Sequence, residues 1–133
     1  MVSKKVLIVD DDRNLVRSLR IRCESMGLDV NTSYDGMEAA FELMAVNDSP
    51  PDLVILDVNM PIENGLSLCE MFAEDTLLAS VPVIILTGRS DAATLRQCRD
   101  LGVRYVCKGA DTWERLRPLI AELLGIADVR LAI

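Results

Sequence analysis

The sequence predicts an α/β fold, a doubly wound (βα)5 arrangement in which an open parallel five-stranded sheet is covered by helices on both faces. Three observations lead there. Four short apolar runs, Val6 to Val9, Leu53 to Leu56, Val81 to Leu86 and Val103 to Cys107, are bounded by polar or turn residues, the pattern of buried parallel strands. Segments of helical period with recognisable end signals lie between them. Strand is followed by helix five times over, and strict alternation with short loops requires right-handed β-α-β crossovers.

Along the chain, the first strand, Val6 to Val9, is followed by Leu15, Leu19, Cys23 and Met26 at helical spacing. Asp12 is placed to cap that helix and Gly27 to end it. The second strand, Leu28 to Tyr34, alternates apolar with polar residues, which suits a sheet edge. Asp35 with Glu38 resembles a capping box opening a helix to Met44, before the loop Asn47-Asp48-Ser49-Pro50-Pro51. The third strand, Leu53 to Leu56, leads to a helix from Gly65 to Glu74. The fourth run contains Pro82, which a strand tolerates among its first residues but not in its middle. It is followed by a helix from Asp91 to Leu101, stopped by Gly102. The fifth run, Val103 to Cys107, precedes a helix from Asp111 to Leu124, with Gly125 just beyond. Residues 1–125 are expected to form one domain and residues 126–133 a tail or the start of a linker.

With 133 residues, 50% of them apolar, the chain can bury one core without disulfides or a structural metal. Fourteen basic side chains against 21 acidic ones give a formal charge of −7, which opposes binding to nucleic acid or to an anionic membrane. Cys23, Cys69, Cys98 and Cys107 stand singly in apolar or helical stretches and read as small buried hydrophobes in a reducing compartment. The apolar run near the N-terminus is too short for a signal-peptide core or a membrane span, so a cytoplasmic location is expected. There is no histidine, which excludes histidine-ligated metals, Ser-His triads and histidine general bases.

In an open α/β sheet the ligand site lies beyond the carboxyl ends of the strands, where strand order reverses. The first strand runs into Asp10-Asp11-Asp12, the third into Asp57, the fourth into Thr87 and the fifth into Lys108. Carboxylates brought together repel, and a cation is the natural compensation. Hard oxygen ligands with no histidine and no cysteine pair match Mg²⁺. Asp10-Asp11-Asp12 alone reads equally as a capped helix start with solvated acids, Thr87 as a strand-end residue and Lys108 as a surface lysine. Their conjunction at four strand ends is the specific signal. It makes Asp57 a candidate nucleophile for an aspartyl-phosphate, with a hydroxyl and an ammonium to meet the phosphoryl oxygens.

The segments VLIVDDD, DLVILDVNMP, VIILTG and YVCK resemble, in order and spacing, the four signatures of response-regulator receiver domains, and the resemblance covers residues from about 4 to 125. It implies the flavodoxin-like strand order 2-1-3-4-5. It also implies that Asp10, Asp11 and Asp57, with the backbone carbonyl of Asn59, hold Mg²⁺, that Asp57 is the phosphoacceptor, and that Lys108 contacts the phosphoryl group. Asp12 remains a helix cap. Thr87 and Tyr105 would form the switch, the ring turning as Thr87 moves toward the phosphoryl oxygen and altering the face made by the fourth helix, fifth strand and fifth helix. Asn59 and Arg89 would set the lifetime of the phosphorylated state. Gly109 stands where the family usually has proline, often after a cis bond, and glycine is expected to leave that loop more mobile.

The implied function is a phosphoacceptor of two-component signalling that catalyses only its own phosphorylation and dephosphorylation. The implied partners are a sensor histidine kinase or histidine phosphotransfer protein and a downstream protein target. Neither nucleic acid nor membrane is expected to bind directly, and a homodimer through the switch face is compatible with the sequence. Two alternatives remain. A haloacid-dehalogenase-like phosphatase would use similar groups, but it wants D-x-D-x-[TV], and Asp10-Asp11-Asp12-Arg13-Asn14 lacks the final residue. A pseudo-receiver would keep the fold without phosphorylation, with Gly109 its one point of support.

Overall fold

A computed structural model describes residues 3–35, 38, 50–57, 70, 74, 79–88 and 92–128. The apolar runs form five parallel strands, β1 (Lys5–Val9), β2 (Asp29–Ser33), β3 (Leu53–Asp57), β4 (Val83–Thr87) and β5 (Arg104–Cys107), ordered β2-β1-β3-β4-β5. This is the predicted doubly wound sheet. Three helices lie wholly within the described residues: α1 (Arg13–Ser25), α2 (Ala92–Leu101) and α3 (Thr112–Leu124). The latter two are the fourth and fifth helices anticipated from sequence. The helices expected over 35–44 and 65–74 lie mostly outside the described residues, but the Glu38 N–H donates to Asp35 Oδ1 at 2.6 Å, as a helix cap there requires.

Strand periodicity divides the core in two. Leu7, Val9, Val54, Leu56, Val83 and Ile85 face one side of the sheet, where Cys98 of α2 joins them. Val6, Ile8, Leu53, Ile55, Ile84 and Leu86 face the other, against Val16, Leu19 and Cys23 of α1 and Leu116, Ile120 and Leu124 of α3. Alternate residues of a strand point to opposite faces, so the central strands must be apolar on both, as β3 and β4 are up to their last residues, Asp57 and Thr87. The edges need not be. In β2, Asp29 and Asn31 are exposed, in keeping with the edge position expected for it.

Local signals set the helix ends. Asp12 Oδ1 accepts from the backbone N–H groups of Asn14 and Leu15, at 3.1 and 3.2 Å, and starts α1. Gly27, at φ 85°, takes the chain out of α1 in a conformation that strains other residues. Gly125 does the same for α3 at φ 66°. Pro118 lies inside α3, yet the helix continues through it because Leu116, Ile120, Ala121 and Leu124 are all buried around it. The guanidinium of Arg22 lies 5.5 Å from the Trp113 ring centroid and ties α1 to α3. Beyond α3, Ile126 packs against the core and Asp128 pairs with Arg117.

Two expectations need correction. The run Val103 to Cys107, read as a buried strand, forms an edge strand whose Arg104 and Tyr105 are exposed and in which Val106 alone is fully buried. An edge strand has a neighbour on one side only, so its apolar composition overstated its burial. The fourth strand begins at Val83 rather than Val81, with Pro82 just before it. The Pro82 carbonyl still accepts from Val54 N–H at 3.1 Å, a bond that needs no donor from proline.

Ile84 is fully buried at the centre of the sheet, whereas Ile21 on α1 is 63% exposed. Ile84→Ala is expected to lower unfolding stability by about 3 kcal/mol through lost burial and a residual cavity. Ile21→Ala is expected to change it by less than about 0.5 kcal/mol. Urea unfolding of the two variants checks the assignment of the core.

Candidate functional site

Register builds the site. Val9 pairs with Leu56 across β1 and β3, so the next residues, Asp10 and Asp57, emerge side by side at the carboxyl edge. Asp57 pairs with Leu86, which puts Thr87 one step further along β4, and Thr87 pairs with Cys107, the residue before Lys108. The four strand ends singled out in the sequence therefore meet at one place. Asp10, Asp57 and Thr87 are buried there, while Asp11 is exposed. One carboxylate oxygen from each of Asp10, Asp11 and Asp57 lies within 4.8 Å of the other two.

Lys108 reaches into this cluster. Its Nζ is 2.9 Å from Asp10 Oδ2 and 3.5 Å from Asp57 Oδ2. Asp10 Oδ1 accepts from the Asp12 N–H at 2.9 Å, and the Asp10 N–H donates to the Ser33 carbonyl at 3.1 Å. Asp10 Oδ2 has only the ammonium beside it, close enough to pair yet off the alignment of a hydrogen bond. Among the described residues it is the one buried side-chain oxygen lacking a directed donor.

Burial pushes the Asp10 carboxyl above its ordinary pKa, and the negative charge of Asp57 adds to the rise. The Asp12 N–H and Lys108 oppose it without cancelling it. For Lys108 burial works against the charge, but pairing with Asp10, together with Asp57, outweighs burial and holds the ammonium pKa above its usual value. The cluster thus carries more negative charge than its one lysine comfortably neutralises. Three hard carboxylate donors, one with an undirected buried oxygen, fit a divalent cation of the Mg²⁺ type, and Asp10, Asp11 and Asp57 are the side chains that would hold it.

Asn59 and Arg89 lie outside the described residues. Tyr105 is on β5, paired with Ile85 and 40% exposed, more open than a partly buried strand tyrosine. Asp12 lies outside the acidic cluster and caps α1. Among the described cysteines, Cys23, Cys98 and Cys107 are free. Burial of Cys23 and Cys98 raises their thiols, that of Cys23 to about 12, so both are small core hydrophobes.

Among the described residues no peptide bond is cis, in keeping with a glycine that lacks the cis preference of proline, and the backbone of Gly109 is hydrogen-bonded through both its N–H and its carbonyl. Its N–H donates to Thr112 Oγ1 at 2.8 Å, and its carbonyl accepts the Thr112 hydroxyl at 2.7 Å. Sequence reasoning passed over Thr112 in favour of Asp111, which makes no side-chain cap. The available signal was a hydroxyl residue three positions after a glycine at a helix start, the spacing at which a side chain substitutes for backbone partners.

A family model described as the response regulator receiver domain matches residues 6–118, and the chain belongs to that family. Among its relatives, the DNA-binding response regulator MtrA of Mycobacterium tuberculosis (strain H37Rv) is 32% identical over 139 residues, a match covering 96% of this chain and only 58% of MtrA's length. A response regulator receiver protein from Burkholderia phymatum superposes with a TM-score of 0.80 at 32% identity, covering 94% of this chain and 98% of that one. The response regulator TrrA of Thermotoga maritima, solved in complex with Mg²⁺-BeF, superposes with a TM-score of 0.78 at 26% identity, covering 91% of this chain and 99% of TrrA. Among the described residues, no helix is long and apolar enough to cross a membrane.

Because its folded-state pKa is raised, Asp10 favours folding below the ordinary carboxylate range, and that contribution is lost as pH rises through the raised value. At neutral pH without metal, the Asp10 charge is therefore a burden on the fold. Asp10→Asn keeps an oxygen for the Asp12 N–H and removes the charge. In EDTA at neutral pH it is expected to melt a few degrees above wild type, the shift produced by about 1 kcal/mol in a domain of this size. It is also expected to lose any stabilisation that Mg²⁺ gives the wild type. Thermal melts with EDTA and with Mg²⁺ check both.

Proposed function

We propose that this receiver domain is a phosphorylation-controlled signalling switch in which Asp57 accepts a phosphoryl group from a sensor histidine kinase or a histidine phosphotransfer protein. The observation that carries the reading is Lys108 Nζ lying between Asp10 and Asp57, at 2.9 and 3.5 Å, over a cluster of three carboxylates. An ammonium there pairs with the carboxylates at rest and meets the phosphoryl oxygens once they arrive. The complex of TrrA with Mg²⁺-BeF supports the same use of the site.

In the proposed step an Asp57 carboxylate oxygen attacks phosphorus. The bond between phosphorus and the donor nitrogen breaks, and the nitrogen leaves with the electron pair and takes up a proton. Asp10, Asp11 and Asp57, with the backbone carbonyl of Asn59, would hold Mg²⁺, which offsets charge on the transferring group. Lys108 pairs with the charge that has moved onto the product. The Thr87 hydroxyl, at the end of the neighbouring strand, donates to a phosphoryl oxygen. Burial of Asp57 keeps bulk water from the acyl phosphate and slows its loss.

Thr87 and Tyr105 lie on adjacent strands, β4 and β5, so a shift of the threonine toward the phosphoryl group can be read by the ring. The face made by α2, β5 and α3 is the proposed output, toward a downstream protein or a second copy of the chain. Residues 1–125 form the proposed receiver unit and 126–133 its tail or linker. The charge of −7 weighs against nucleic-acid contact by these residues, even though MtrA is described as DNA-binding.

Intact mass after incubation with acetyl phosphate and Mg²⁺ tests the reading. Wild type is expected to gain one phosphoryl group, only with Mg²⁺ present, and Asp57→Ala none. A folded wild type that gains nothing, or a variant that gains as much as wild type, would overturn it. Sustained turnover of a chromogenic phosphomonoester would instead favour a phosphatase.

A further inference from the structure

Lys108 reaches both Asp10 and Asp57, yet it is followed by a loop of small residues. Gly109 and Ala110 are both exposed, Gly109 has no side chain, and a Cβ built on it would make only ordinary contact, 3.6 Å from Asp111 Oδ1. Nothing intrinsic to that dipeptide fixes the direction in which the chain leaves Lys108. The constraint comes from outside it. The Lys108 N–H donates to the Thr87 carbonyl at 2.8 Å, which anchors the residue on its strand side. On the other side, Gly109 N–H, Gly109 carbonyl and the Thr112 hydroxyl form a closed pair of hydrogen bonds at 2.8 and 2.7 Å. The Thr112 N–H also donates to that carbonyl, at 3.2 Å.

Thr112 is itself anchored by packing. It is the first residue of α3, it is buried, and Leu116 and Ile120 of the same helix lie in the core. Its hydroxyl therefore transmits the position of a packed helix to the peptide immediately after Lys108. Asp111, the residue expected to start the helix, makes no side-chain cap and instead lies 3.8 Å from Arg115 on the surface.

We infer that Thr112 is a positioning residue for the candidate phosphoacceptor site, its hydroxyl clamping the Gly109 backbone so that the Lys108 ammonium stays aimed between Asp10 and Asp57. The inference deepens the proposed function and rests on it for the consequence in phosphoryl transfer. The clamp can be tested without it. Loosening it leaves Asp10, Asp11 and Asp57 in place at the ends of β1 and β3 and frees them from a competing cation. Phosphorylation and Mg²⁺ affinity should then move apart, whereas damage to the fold would weaken both together.

The variants are Thr112→Val, which keeps the branched shape and loses the hydroxyl, and Thr112→Ser, which keeps the hydroxyl. Three measurements are made on the full chain below its melting range: Gly109 amide hydrogen exchange, Mg²⁺ affinity by titration, and the rate of phosphorylation by acetyl phosphate at saturating Mg²⁺. In Thr112→Val the Gly109 amide should exchange at least tenfold faster, Mg²⁺ should bind as tightly as in wild type or more so, and phosphorylation should slow about tenfold. Thr112→Ser should restore all three. Unchanged Gly109 exchange in Thr112→Val would overturn the clamp. So would an unchanged phosphorylation rate, or a parallel loss of Mg²⁺ affinity. If wild type itself takes no phosphoryl group, the proposed function fails, and amide exchange with Mg²⁺ affinity still decides for or against the clamp.

Discussion

The organising constraint is negative charge placed by strand register at the buried edge of a sheet. Asp10 and Asp57 follow paired apolar residues on adjacent strands, so their proximity is a consequence of β1 pairing with β3. Neither can withdraw without shifting a strand packed on both faces. The burial that stabilises the sheet also takes the Asp10 carboxylate away from water, raises its proton affinity and leaves one oxygen without a directed donor. Lys108 offsets part of that cost from the neighbouring edge. Such a site is sensitive to a change in its charge, as the proposed switch requires.

Much of this was legible in the sequence because it depends on local pattern. Strand type and the convergence of Asp10, Asp57, Thr87 and Lys108 follow from apolar runs, their end residues and the rules of parallel sheets, while the strand order came from the resemblance to receiver domains. Asp12 could be read as a cap because capping is decided within a few residues. What the apolar run overstated was burial on β5. Arg104 was the local signal of exposure, and the strand's place at the end of the order β2-β1-β3-β4-β5 makes it an edge.

Thr112 escaped notice for a related reason. Asp111 looked like the better helix start by composition, but its side chain turns to solvent and the hydroxyl one residue later takes the backbone partners. Which of two adjacent polar residues serves a loop depends on the angle at which the helix meets the sheet, and that angle is set by Leu116 and Ile120 in the core. The departure at Gly109 likewise suggested looseness when judged by residue type alone. The hydrogen bonds that hold its peptide come from the helix rather than from the loop.

The arrangement of β5 bears on association through the margins of the sheet. An outer strand carries a row of unpaired peptide groups, a template for strands of other molecules. Here the strand is four residues long, and Arg104 points out from it toward Glu122 of α3, 3.3 Å away. At the opposite margin, Asp29 and Asn31 stand exposed on β2. Both margins of the sheet thus bear polar or charged side chains that discourage edge-to-edge stacking. Tyr105 can lie open on β5 without making that border a seed for aggregation.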